Sequence, residues 1–396
     1  MMKLFGDVST EEKKDDPWKD RIEGKISLYK VAIVSENPER VERLKSILVL
    51  YNIVRIQVFE INFALLKDEV ELDEFDVILI DIDTNDDVEF ISAYLTQYIP
   101  VNSIAYVIGS NDSISFAHEL EKKGIKYLLN DVQIDNLPML LWQGKNEIQK
   151  RQGNIITFLG CKGGVGTSQL AYHTVKAISR ISKIPMLLVQ GGSGSFDMDF
   201  IVEKPIEKDG SIVELDDNLS VRIEPSKPGW DFKDDSIYKF NLVVFDHNLN
   251  SILSVPQLNN VFAVSNTVIV VINRDPYSIK VAKSILEERN RIIMRDDQLA
   301  DKRFFICLND NKPFNKKEML ADEDIAEFLE HPIDIKQGYF ASNKKLQEAH
   351  TSKEVKSIAT LLIGISESPR KLLNKLTTNG NKKKKSKFSL FKSKSK

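Results

Sequence analysis

One stretch limits what this chain can fold into more than any other: Ile155-Ile-Thr-Phe-Leu-Gly-Cys-Lys-Gly-Gly-Val-Gly-Thr-Ser-Gln-Leu170. Its apolar opening, Ile155 to Leu159, fits a parallel strand buried on both faces, and Leu170, Thr174, Ile178 and Ile181 recur at helical spacing. Between them lie closely spaced glycines, which let consecutive backbone N–H groups turn inward on a phosphate chain at a helix N-terminus. In the usual phosphate loop a Lys meets the β and γ phosphates and the next Ser or Thr ligates Mg²⁺. Here Thr167 stands at the lysine position, Ser168 keeps the hydroxyl, and Cys161 replaces the first glycine of the ordinary pattern. A glycine-rich turn without a ligand is the competing reading, and the well-formed strand and helix patterns on either side weigh against it.

The run Lys162-Gly-Gly-Val-Gly166 resembles the deviant phosphate loop of the ParA/MinD ATPases, K-G-G-x-G-K-[ST], whose additional lysine comes early. Lys162 is that lysine. The resemblance implies that Lys162, Gly163, Gly164, Val165, Gly166, Thr167 and Ser168 surround ATP. It also implies a homodimer in which Lys162 reaches the phosphates of the facing subunit. Leu242-Val-Val-Phe-Asp246 is an apolar strand ending in an acid, the Walker B arrangement that holds a metal's water shell, so Ser168 and Asp246 are the Mg²⁺ candidates. Thr267 to Ser278 and Phe305-Ile-Cys-Leu-Asn309 look like the family's late strands; Asn309 sits near the base in that pattern, or is a turn former. His247, beside Asp246, is a structural histidine or a base.

A fourth match is broken. The family carries acids after its second strand, in a pattern like V-I-D-x-D-x-x-x-x-x-L-D, where the second Asp orients the attacking water. The matching run, Leu188-Val-Gln-Gly-Gly-Ser-Gly-Ser-Phe-Asp-Met-Asp199, has Gln190 and Gly192 in their places and keeps Asp199. Phosphoryl transfer rests almost wholly on positioning and charge, and losing one such group costs about 10²–10³ in rate. An atypical P-loop ATPase with little or no hydrolysis is expected, one with no confidently assigned catalytic residue. Binding suffers less, since a charge-assisted contact is worth roughly 1.5–3 kcal/mol.

At 396 residues the chain has room for two or three domains, and 42% hydrophobic residues is ordinary globular usage. Neither a signal-peptide run nor an apolar stretch long enough to span a bilayer is evident. Two cysteines, Cys161 and Cys307, give no disulfide framework, and a reducing cytoplasm fits. The net charge of -3 hides an asymmetry: Arg370 to Lys396 carries eleven Lys or Arg and no acid, leaving the remainder near -14. Such an acidic body opposes nucleic-acid binding, and no helix-turn-helix pattern is evident.

The expected organisation is a flexible leader over 1–28, an α/β domain over 29–142, a linker over 143–153, a P-loop domain over 154–373 and a basic disordered tail over 374–396. In the first domain, strands at Lys30 to Val34, Val54 to Phe59, Asp76 to Ile80, Ile104 to Ile108 and Lys126 to Leu129 alternate with helices. That pattern resembles a response-regulator receiver, a flavodoxin-like doubly wound sheet. A working receiver needs an acidic pair for Mg²⁺, a phosphoacceptor Asp and a Lys to clamp the phosphoryl group. Asp81 falls at the phosphoacceptor position and Glu36 supplies one acid beside Ser35, but Asn130 stands where the Lys belongs. Ser110 serves as the hydroxyl only with a register shift. Either Asp81 ends a strand in solvent, or it is phosphorylated, or the domain is a degenerate receiver used for protein contacts.

A degenerate receiver joined to a MinD-like domain lacking the second loop lysine resembles the TadZ/CpaE family of tight-adherence (Tad/Flp) pilus assembly proteins. The resemblance implies an ATP-binding cytoplasmic dimer, weakly or not hydrolysing, that marks a cell pole or inner-membrane site and recruits the pilus secretion machinery. The tail is not part of that pattern. Lys382 to Lys396 carries eight lysines with Phe388, Leu390 and Phe391, which fits docking on an anionic membrane or a solubilising segment. The alternatives are an active MinD-like or flagellar-number ATPase that cycles on membranes, and a DNA-binding partition or regulatory protein.

Overall fold

A computed structural model describes residues 28–363, apart from the segments 67–71, 73, 131, 147–152, 192–194, 226–233, 250–256, 296–298 and 300–301. The leader before Leu28, Gly192, most of the expected linker and the tail with Lys382 to Lys396 lie outside the described residues.

Two α/β sheets stand one after the other. In the first, β1 (Lys30–Val34), β2 (Arg55–Phe59), β3 (Val77–Asp83), β4 (Ile104–Gly109) and β5 (Lys126–Leu129) run parallel in the order β2-β1-β3-β4-β5. This is the receiver-like, flavodoxin-like doubly wound order, with its switch point between β1 and β3. Helices α1 (Pro38–Leu50), α2 (Val88–Tyr98), α3 (Ile114–Lys122) and α4 (Leu137–Asn146) cover the two faces. The start of α1 follows from its sequence: the Asn37 side chain accepts a hydrogen bond from the Arg40 N–H, and Pro38 needs no N–H partner in the first turn. Val41, Leu44 and Leu48 of α1 are buried with Val31 and Ile33, while Ala32 and Val34 face the opposite core with Ile91, Tyr94 and Leu95 of α2. A strand buried on both faces has no polar side to alternate, hence the unbroken apolar runs.

In the second sheet, β6 (Asn154–Gly160), β7 (Met186–Gln190), β8 (Val213–Asp216), β9 (Leu219–Ile223), β10 (Leu242–Asn248), β11 (Thr267–Ile272), β12 (Arg303–Asn309) and β13 (Ile335–Gln337) lie in the order β13-β12-β11-β6-β10-β7-β9-β8. Only β8 among these runs antiparallel to its neighbour. One face is covered by α5 (Thr167–Ile181) and α11 (Lys353–Ile363), the other by α7 (Leu258–Val264), α8 (Pro276–Arg295) and α9 (Asp322–Leu329), and α6 (Met198–Val202) and α10 (Asn343–Gln347) are short helices between them in the chain. From β6 the chain passes to β7 on one side, and after β10 it crosses to β11 on the other. The strand order therefore reverses beside β6, and the crevice at the carboxyl ends of the strands there is where open α/β sheets bind ligands.

Buried polar groups join the two sheets. Asn241, which directly precedes β10, donates through Nδ2 to the carbonyls of Thr96 (3.3 Å) and Ile99 and accepts through Oδ1 from the Val101 N–H at 2.9 Å. Ser182 Oγ donates to the Gln97 carbonyl at 2.8 Å, and Gln97 Nε2 donates to the carbonyl of Ile363 at the end of α11. Asn241, Ser182 and Gln97 are all buried. The carbonyls freed where α2 ends are thus satisfied by the second domain.

Candidate functional site

The phosphate loop follows β6 and ends at α5. Gly164 and Gly166 have φ of +79° and +83°, a conformation side chains resist. At Gly166 a Cβ would also lie 2.5 Å from Asn309 Nδ2. Asn309, at the end of β12, donates through that nitrogen to the Val165 carbonyl at 2.7 Å, and Asn311 donates to the Gly164 carbonyl at 3.1 Å. Two carboxamides thus hold the loop from behind, so Asn309 is neither a bare turn residue nor far from the loop.

In front lies a cavity of about 370 Å³ lined by Gly163 to Gln169, with Ser195, Asp197, Ile201 and Asn248 on the far wall. A smaller one of about 160 Å³ lies behind, lined in part by Gly166, Asn309, Gln337, Tyr339 and Phe340. Thr167 is 3% exposed, and its Oγ1 lies toward Gly160, where an added Cβ would come within 2.3 Å of it. A residue at the lysine position therefore offers the cavity a backbone N–H and no charged arm. Lys162, at the rim, pairs with Asp275 of its own chain, Nζ to Oδ2 at 2.7 Å. The bond from Lys162, followed by that from the Tyr277 N–H, holds the Asp275 carboxyl below its ordinary range against the upward push of burial.

Asp246 lies in β10 and is fully buried; burial pushes its carboxyl up to about 6, against the Ser168 and Gln190 contacts that lower it. Gln190 ends β7 in register with Asp246. Its Nε2 lies 3.0 Å from Asp197 Oδ1 and 3.4 Å from both Ser168 Oγ and Asp246 Oδ2. Asp197, rather than Asp199, reaches the cavity; Asp199 sits further along, in α6 (Met198–Val202). Asp246 Oδ1 is buried without a donor among the described residues. No group of three or more His, Cys, Asp or Glu able to hold a metal exists among those residues. Ser168 and Asp246 are the residues that would hold a divalent ion here, and the unpartnered Asp246 Oδ1 would accept a hydrogen bond from its water shell.

His247 is buried, and burial lowers its pKa to about 3, so the ring is neutral and only weakly basic. Both cysteines are free and buried, with thiols raised by burial.

The receiver-like site departs from the expectation of Asp81 at a strand end in solvent. The strand runs on to Asp83, and Asp81 is 7% exposed. Ser35 Oγ donates to its Oδ2 at 2.6 Å, the Asp83 N–H donates to its Oδ1 at 2.8 Å, and the buried Arg40 guanidinium pairs with Oδ1. Arg40 also donates to Ser110 Oγ at 3.3 Å. The β3–β4 pairing is irregular between Asp81 and Asp83. Glu36 is exposed and accepts from Asn62 at 2.9 Å. The cation beside Asp81 is therefore Arg40 of α1, with Asn130 at the expected Lys position carrying no charge. Arg40 lies one turn into α1, on the same side as the buried Val41 and Leu44, so its burial follows from helical spacing while its partner does not.

No family model and no curated protein matches the chain. Among solved structures it is similar to the MinD cell division protein of Aquifex aeolicus (15% identity, TM-score 0.37, covering 54% of this chain and 99% of that one). It is also similar to a ParA family ATPase from Chlorobium tepidum TLS (17%, 0.36, 55% and 96%) and to an ATP complex of McdA from Cyanothece (8%, 0.40, 55% and 98%). At these values the likeness carries no argument about activity. The strand order and loop described above define the class: a receiver-like doubly wound domain followed by a ParA/MinD-like P-loop NTPase domain.

Proposed function

We propose that this chain is an ATP-holding dimeric scaffold that hydrolyses its nucleotide slowly or not at all. The observation that carries the reading is the inward-turned Thr167 at the lysine position of an otherwise intact phosphate loop. Backbone N–H groups of Gly163 to Ser168 bind the phosphates, Ser168 and Asp246 hold Mg²⁺, and Asn309 braces the loop. Loss of the lysine and of the acids at Gln190 and Gly192 removes about 10²–10³ in rate for each group. Two copies pair across the front cavity with Lys162 directed at the partner's phosphates.

The finer reading is a TadZ/CpaE-type role: assembly of the Tad/Flp pilus secretion machinery at a cell pole or inner membrane, from the cytoplasm, with the receiver-like domain as the contact module. Lys382 to Lys396 would dock on acidic lipid, two tails per dimer adding their effects. Among the described residues no helix is long and apolar enough to cross a membrane. A second reading, an active MinD-like ATPase, is favoured by the retained Lys162, Ser168 and Asp246.

Purified full-length protein decides between them by co-bound nucleotide, oligomeric state and phosphate release. ATP binding with negligible turnover is expected; no affinity at millimolar ATP overturns the scaffold reading, and robust turnover favours the second. Liposome co-sedimentation that needs acidic lipid, and is lost on removal of residues 380–396, tests the tail.

A further inference from the structure

Gln190 is fully buried, and its carboxamide has only one workable orientation. As placed, Oε1 accepts from the Met198 N–H at 3.2 Å while Nε2 faces Asp197, Asp246 and Ser168. Turned round, the oxygen would face two carboxylates and the NH₂ would face an N–H, so those contacts would become repulsive. The side chain therefore fixes an N–H donor beside the hydroxyl and the acid that would hold Mg²⁺.

A carboxylate here, as in the ParA/MinD pattern, would add a negative charge beside Asp246 and Asp197 and raise the demand for a cation. It would also accept hydrogen bonds from metal-bound water. The amide does neither: it carries no charge, and it already gives Asp246 Oδ2 and Ser168 Oγ a donor when no ion is present. Resting on the nucleotide reading above, we infer that Gln190 is a positioning residue that makes ATP binding largely independent of magnesium. It holds Ser168, Asp246 and the start of α6 in place without an ion, so the backbone cradle is formed in advance.

The test is titration of the full-length protein with a fluorescent ATP analogue, in excess Mg²⁺ and in EDTA. The wild-type dissociation constant should change less than about threefold between the two, whereas Gln190→Asp should weaken about tenfold or more in EDTA, as expected when a charge-assisted contact is lost. Gln190→Glu should move in the same direction, and circular dichroism verifies the fold of both. Should neither variant fold, the wild-type comparison decides alone. Wild-type binding that falls tenfold or more in EDTA overturns the inference and leaves the nucleotide reading standing. Absence of binding in both media overturns the two together.

Discussion

Arg40 and Asp81 are a buried pair whose removal should be far from neutral. Taking away the guanidinium leaves a carboxylate in the interior with only Ser35 and one N–H to solvate it, at a cost of about 3–5 kcal/mol. Arg40→Met should therefore lower the urea midpoint sharply, and Arg40→Met with Asp81→Leu should recover much of the loss, because no charge is then stranded. Equal losses in single and double variants would refute the pairing argument. Asp81 should also resist small-molecule phosphodonors, since both its oxygens already accept hydrogen bonds. At the same scale, burial, followed by His350 and Lys176, lowers His173 to about 4, and burial lowers His247 to about 3. Both stay neutral in the folded chain and gain protons only on unfolding, so their contribution is full above pH 6.5 and is lost as pH falls towards the folded values. Each subtracts about 1.4 kcal/mol per pH unit in that window, and raised Asp246 offsets about as much below about pH 6. The melting temperature should drop between about pH 7 and 5, and less so in His173→Leu.

At the level of elements, α8 is started by a residue with two duties. Asp275 Oδ1 accepts from the Tyr277 N–H at 2.9 Å while Oδ2 holds Lys162. Asp275→Asn keeps an N-terminal cap and frees the lysine. The pair is over a third exposed, so it is worth at most about 1 kcal/mol, or about fivefold in affinity. Sedimentation analysis should find ATP-dependent dimers of the variant at up to about fivefold lower nucleotide; an unchanged threshold would leave Asp275 a cap and nothing more. What could be read from sequence at this scale was periodic or punctuated: the apolar strands at the cores of the two sheets, the Asn37-Pro38 start, and the loop between β6 and α5. What could not be read was contact between distant segments. Nothing local places Arg40 on Asp81, or Asp275 on Lys162. Spacing alone points to Asp199 rather than Asp197, because it does not reveal the turn that aims the earlier acid inward.

Across the whole molecule, Asn241 satisfies backbone groups that otherwise lie buried and unpaired at the end of α2. Asn241→Leu strands the Ile99 carbonyl and the Val101 N–H, at roughly 1–3 kcal/mol each. Calorimetry should find one unfolding transition in the wild type and two in the variant, with the receiver-like domain melting apart from the P-loop domain. One unsplit transition at the wild-type temperature would mean that the interface stands without this residue. Strand β10 then has a second meaning. Roughly five residue steps, about 17 Å, separate Asn241 at its foot from Asp246 near its head. A module borrowed from another protein would have to end its second helix with the same two carbonyls and the same N–H, in the same directions, to sit on that foot. The front half of this chain is therefore no interchangeable bead, and a successful graft would need Asn241, Ser182 and the strand beside the phosphate loop rewritten along with it.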